Sequence, residues 1–282
     1  MDKIATVRTT AMTTVMTTVR TTVMTTVRTT STLTFGDCAE NHARMEQIGV
    51  RCGKGEGFSL FDVMRARRKF REAGATCELV VLNSRTCVLV IRGGVDYLLG
   101  DSGSASDALK AEQDALPKDT KALMWGRVVN KHARHNLCFA PVGHPAAYAE
   151  GRGTVISYSD VPLTERLWRS LGDWFGPKAA AADLNGEGNY YYDVTRCGIG
   201  YHGDSERRKV IAVRLGATMP LHFQAFQYGR PVGPHTVIQL GHGDVYMMSE
   251  EAVGTEWKSS SKIVFRHAAG SAKFTDLPPP SE

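Results

Sequence analysis

Gly198-Ile199-Gly200-Tyr201-His202-Gly203-Asp204-Ser205-Glu206 is the stretch from which the fold can be read. At its centre an imidazole and a carboxylate stand two residues apart. On an extended strand, positions i and i+2 project from the same face, so His202 and Asp204 can converge on one point. One neutral nitrogen and one anionic oxygen suit a borderline divalent metal such as Fe(II). They supply two-thirds of a 2-His-1-carboxylate facial triad. A bare His-x-Asp also fits a surface turn whose Asp caps a backbone amide, so the surroundings have to decide.

Working outward, residues 189–194 and 198–201 are strand-compatible and rich in hydrogen-bonding aromatics. Residues 209–216 form a short, mostly apolar, β-branched run ending at Gly216, the pattern of a largely buried strand. Residues 262–266 read as another strand, with Arg266 at its end. A guanidinium offers a planar fork that matches a carboxylate bidentately. A metal pair plus a strand-borne cation is the layout a 2-oxoglutarate oxygenase needs.

These residues carry a resemblance. Asn189-x-Tyr191, His202-x-Asp204-x-Glu206, Leu215-Gly216, the run from Leu240 to Gly243-Asp244, and Phe265-Arg266-His267-Ala268-Ala269-Gly270 resemble the signature of AlkB-type Fe(II)/2-oxoglutarate dioxygenases. The resemblance covers the last third of the chain and extends more loosely over the middle third. It implies that His202 and Asp204 are iron ligands and that Asn189 and Tyr191 hold 2-oxoglutarate. Arg266 matches an arginine at the cosubstrate end of the site.

The chain also departs from that family. A second histidine is expected after the Gly243-Asp244 strand, yet residues 243–257 contain none, and Ser259 falls near its place. The earlier arginine of the usual pair falls on Ser260. His267, the first histidine after the gap, is the expected third ligand, with Glu256 or water as alternatives. Alternation puts His267 and Arg266 on opposite faces of one strand, so Lys273 becomes a second candidate for the cosubstrate cation.

The composition, 42% hydrophobic and 22% charged, is that of an ordinary soluble protein, and 282 residues allow one sizeable domain or two small ones. The formal charge of +5 is compatible with a nucleic-acid partner without demanding one. Six cysteines, Cys38, Cys52, Cys77, Cys87, Cys138 and Cys197, lack C-x-x-C pairing, which predicts free thiols in a reducing compartment. No apolar run reaches membrane-span length. The expectation is a soluble intracellular monomer, in cytoplasm or nucleus.

Residues 6–32 repeat Thr-Thr-Val followed by Met or Arg, and residues 1–33 read as a disordered tail. Residues 34–150 read as an N-terminal α/β extension and substrate lid. Ser59 is placed to cap a helix through Phe61, Met64 and Phe70 to Gly74, with a basic face of Arg65, Arg67, Arg68, Lys69 and Arg71. Strands follow over 77–82 and 86–92, then a short helix over 107–115 capped by Ser106. Residues 125–136 interleave Arg127, Lys131, Arg134 and the histidines His132 and His135 with polar amides, and Arg and Asn are suited to phosphate and base-edge contacts. Leu163, Leu167, Trp168, Leu171 and Phe175 recur at helical spacing as a core stripe.

The fold expectation is α+β, with a double-stranded β-helix (jelly-roll) core over residues 151–275 and a tail over 276–282. The functional expectation is AlkB-like oxidative demethylation or hydroxylation, with Fe(II) and 2-oxoglutarate as cofactors, O₂ as cosubstrate, and alkylated DNA or RNA as substrate. A catalytically silent β-helix binding module and a protein-side-chain hydroxylase are the alternatives.

Overall fold

Alternating residues of one strand, Thr30–Gly36 (β1), supply the two faces around which the protein is layered. Leu33 and Phe35 enter an apolar core under the helices, while Thr32 and Thr34 line a polar cavity on the opposite side. The computed structural model describes residues 28–101 and 103–277. The proposed tail therefore ends too late at residue 33, because every residue of β1 is buried. Residues 6–27 of the repeat, and residues 278–282 of the C-terminal tail, lie outside the described residues. Composition misled here because threonine-rich sequence looks like an exposed tail, whereas one face of β1 is covered by polar cavity rather than apolar core.

After β1 come β2 (Cys38–Glu40), β3 (Gln47–Gly49) and helix α1 (Leu60–Glu72). Ser59 and Asp62 form the reciprocal capping box that starts α1. Hairpin β4 (Cys77–Val81) and β5 (Cys87–Ile91) precedes helices α2 (Gly94–Leu99) and α3 (Ala105–Ala115). Helix α3 begins two residues before the expected start, with Ser104 rather than Ser106 at its N-cap. Strands β6 (Lys121–Met124), β7 (Arg127–Asn130), β8 (His135–Ala140) and β9 (Val155–Ser157) lead to α4 (Pro162–Phe175). Then follow β10 (Asn185–Tyr191), β11 (Gly198–His202), β12 (Val210–Gly216) and β13 (Met219–Gln227). Last are β14 (Arg230–Leu240), β15 (Val245–Met248), α5 (Glu250–Val253), β16 (Val264–Gly270) and α6 (Ala272–Thr275).

The result is a mixed α+β fold built mostly from antiparallel strands. Eight strands form one sheet in the order β4-β5-β15-β12-β1-β10-β8-β9, and four form another in the order β11-β16-β13-β14. Strands from both sides of residue 150 share the larger sheet, so the expected division there does not separate two sheets. Period-two alternation lets apolar residues pack on both faces of the large sheet. Leu89, Ile91, Ile211 and Val213 pack under Phe70, Leu98, Leu167 and Phe175 of the helices. Val88, Val90, Tyr246 and Met248 pack against Leu221, Phe223 and Ile238 of the small sheet. Trp168 belongs to the helix-side core, its ring 4.1 Å from Tyr158 and its Nε1 donating to the Leu184 carbonyl at 2.9 Å. All six cysteines are free, and Cys38, Cys87, Cys138 and Cys197 are buried. Among the described residues no helix is long and apolar enough to cross a membrane.

Candidate metal centre

Strand β11 ends at His202, and its register partner on β16 is His267. Asp204 lies just beyond the strand end rather than on it. The intervening glycine explains how it gets there. A Cβ on Gly203 would sit 2.0 Å from the Gly254 carbonyl oxygen, so only glycine allows the two chains to approach. The Asp204 amide then donates to the Val253 carbonyl at 3.1 Å, and its carboxylate turns inward.

Three donor groups meet there. Asp204 Oδ1 stands 3.4 Å from His202 Nε2 and 3.5 Å from His267 Nε2. The donor atoms of all three residues lie within 4.8 Å of one another. His202 Nδ1 is 2.8 Å from the Gly200 carbonyl, a contact that assigns the ring hydrogen to Nδ1 and leaves Nε2 as a free lone pair. Burial, then the neighbouring His202, lowers the His267 pKa. Burial alone would raise the Asp204 carboxyl. The neighbouring His267 and Arg207 overcome it and hold the group well below the usual carboxylate range.

Arg207, only 3% exposed, contacts three carboxylates. It pairs with Glu187, with Glu206 at 2.8 Å, and with Asp204 at 3.6 Å. One guanidinium against three carboxylates, Glu187 buried and Asp204 and Glu206 half-buried, leaves a negative excess that a divalent cation would neutralise. The Glu206 carboxyl shows the same excess: burial and its acidic neighbours push it up to about 7 despite Arg207. Two imidazoles, one carboxylate and an uncompensated negative environment fit a borderline divalent metal.

The centre opens into a cavity of about 640 Å³. Asn189 and Tyr191 line it, as expected of residues facing the site. Asn189 is already engaged: its Oδ1 accepts from Arg134 Nε at 2.5 Å and Asn136 Nδ2 at 2.8 Å, and its Nδ2 donates to Glu187 at 2.8 Å. Arg266 and Lys273 do not line the cavity. The Arg266 guanidinium lies 4.4 Å from the Phe226 ring centroid and donates to the Trp257 carbonyl at 3.2 Å. This follows from the strand alternation that sends its neighbour His267 inward. Lys273 sits on α6 and is exposed. Glu256, the alternative ligand, pairs instead with Lys262 at 2.8 Å.

Sequence reasoning missed Arg214. It lies on β12, lines the cavity, and is 1% exposed, yet its Nε and Nη1 have no hydrogen-bond partner. Burial lowers its pKa, opposed by the nearby Tyr246 and Tyr191 hydroxyls and Asp244. Its strand neighbour across the sheet is Thr32 of β1. The signal was present in Val210-Ile211-Ala212-Val213-Arg214-Leu215-Gly216, because an arginine inside an apolar strand is seldom buried without a partner.

Fold and site together define a strand-rich α+β protein with a cavity-lining cluster of two histidines and one carboxylate. No family model matches the chain. It is 43% identical over 254 residues to an uncharacterized protein of Acanthamoeba polyphaga mimivirus, an overlap covering 86% of this chain and 96% of that protein. The chain belongs to that protein's family.

Proposed function

We propose that this protein is an Fe(II)/2-oxoglutarate-dependent oxygenase of AlkB-like type. His202, Asp204 and His267 would hold the iron, and Arg214 would hold the far carboxylate of 2-oxoglutarate. The observation that carries the reading is the pairing, in one cavity, of a three-donor cluster with a buried guanidinium whose Nε and Nη1 lack partners. A buried charge is costly unless a ligand or partner compensates it, and a dicarboxylate reaching from metal to arginine supplies that compensation. Arg214 thus takes the role expected of Arg266 or Lys273.

Topology supports the finer fold assignment. From β10 to β16 the chain alternates between the large and small sheets, apart from the β13–β14 hairpin, as in a double-stranded β-helix. On this reading the strand after β16 would return to the large sheet between β10 and β12. That position is filled by β1, from the other end of the described chain.

When bound, the iron and 2-oxoglutarate supply the oxidising chemistry that hydroxylates a substrate C–H, with formaldehyde lost where the carbon is an N-methyl group. The protein's own groups set the geometry. The Gly200 carbonyl orients His202, Arg207 keeps Asp204 ionised and aligned, and the walls around Tyr191 and Tyr246 shield the centre from bulk water. An alkylated nucleic acid is the substrate this reading favours, supported by Arg44, Arg134 and Lys258 around the same cavity. The proximity of His267 to Asp204 weighs against the silent-module alternative.

The test is anaerobic loading with Fe(II), followed by O₂ and 2-oxoglutarate, measuring succinate. Iron-dependent succinate release that is lost in His202→Ala is the expected result. Release that survives His202→Ala, or no release from iron-loaded wild type with alkylated oligonucleotides, rejects the oxygenase reading.

A further inference from the structure

Three non-glycine residues among the described ones have a positive φ: Arg44 at 73°, Trp125 at 52° and Tyr228 at 50°. Two of these touch. The Arg44 guanidinium carbon lies 4.9 Å from the Trp125 ring centroid. They come from different turns, Arg44 from the loop between β2 and β3 and Trp125 from the two-residue loop joining β6 to β7. L-residues with side chains avoid this conformation, and its use at functional sites is a recurring pattern.

The Trp125 turn makes the choice of residue informative. Met124 pairs with Arg127, so the loop is Trp125-Gly126, with φ of 52° and 75°. Such primed two-residue turns favour Asn-Gly or Asp-Gly. The chain instead places its bulkiest side chain there, 82% exposed and buried in no core. Folding does not account for that tryptophan. The opposing loop is also fixed in place: Glu40 accepts from the Arg44 amide at 2.9 Å and from Gln47 Nε2 at 3.0 Å. Arg44 and Glu40 both line the cavity that contains His202.

We propose that Arg44 and Trp125 form a clamp at the cavity mouth, which stacks the base next to the nucleotide under attack. The clamp selects single-stranded nucleic acid. The inference rests on the oxygenase reading and its nucleic-acid substrate. The three donors lie inside the cavity, His267 buried and His202 and Asp204 half-buried, so a base can reach them only by leaving its stack, and its neighbour then loses a stacking partner. An exposed indole face replaces that partner, and Arg44, Arg134 and Lys258 supply cations for the adjoining phosphates. An aromatic platform set among backbone-tracking cations is how single strands are held without sequence reading.

Fluorescence anisotropy of the full chain with a labelled oligodeoxythymidine, and with a duplex of equal length, tests the clamp in wild type, Trp125→Asn and Trp125→Phe. Asn suits the turn, so Trp125→Asn should melt no lower than wild type. It should nevertheless bind the single strand roughly ten-fold more weakly, with little change on duplex, while Trp125→Phe keeps most of the affinity. Equal single-strand binding by wild type and Trp125→Asn overturns the clamp and leaves the nucleic-acid reading standing. Failure of wild type to bind either oligonucleotide overturns both.

Discussion

His202 and His267, far apart in the chain, face each other as register partners on β11 and β16, with ring centroids 4.5 Å apart. The pairing of two strands, and not a local motif, completes the three-donor cluster around Asp204.

If that cluster holds the metal, His267→Ala should weaken Fe(II) binding by at least the ~10–100-fold seen when supporting groups around a metal are lost. Anaerobic Fe(II) or Co(II) titration measures this directly. Wild-type affinity in the variant would remove His267 from the ligand set.

Arg214→Met separates function from stability. The guanidinium is buried and two of its nitrogens lack partners, so removing its charge should leave the unliganded protein as stable or more stable in thermal melts. Affinity for 2-oxoglutarate should fall on the order of 30-fold or more, since a desolvated charge pair is lost. Calorimetric titration of the metal-loaded protein checks the second half. Unchanged affinity would mean the dicarboxylate is held elsewhere.

Gly203→Ala addresses the approach between Gly203 and Gly254. A Cβ 2.0 Å from a backbone carbonyl cannot be accommodated by a flexible side chain moving aside, so the loop must shift. The expected cost is about 1–3 kcal/mol in stability, together with weaker metal binding as Asp204 moves. A variant that melts and binds metal like wild type would show that this contact does not set the position of Asp204.

The capping box of α1 gives a pH dependence. Burial would raise the Asp62 carboxyl, but hydrogen bonds from Ser59 and the charge of Lys178 hold it below its ordinary value. A carboxylate depressed on folding adds stability above its unfolded pKa, and the gain is lost as pH falls through the folded value. Asp62→Asn should therefore cost about 1–2 kcal/mol at neutral pH, with the gap to wild type closing below pH about 4. Urea denaturation across that range reads it out, and a gap that persists at low pH would assign the effect to shape and not charge.

Much of the fold was legible because its signals are local. The Ser59 cap, the apolar stripe of α4 and the β-branched runs of β5 and β12 each act within a few residues, and the structure has these elements at those places. The His202-Gly203-Asp204 spacing was legible for the same reason, and strand alternation correctly separated His267 from Arg266.

What the sequence determined by itself was the set of periodicities and donor groups: which stretches extend, which coil, and that an imidazole and a carboxylate stand side by side. Only the tertiary structure decided which distant groups share their cavity. It inserted β1 between β10 and β12, brought His267 to Asp204, turned Arg266 away and left Arg214 buried beside Thr32. Those outcomes depend on pairing between segments remote in the chain, and no spacing within one segment encodes which strand will lie beside it.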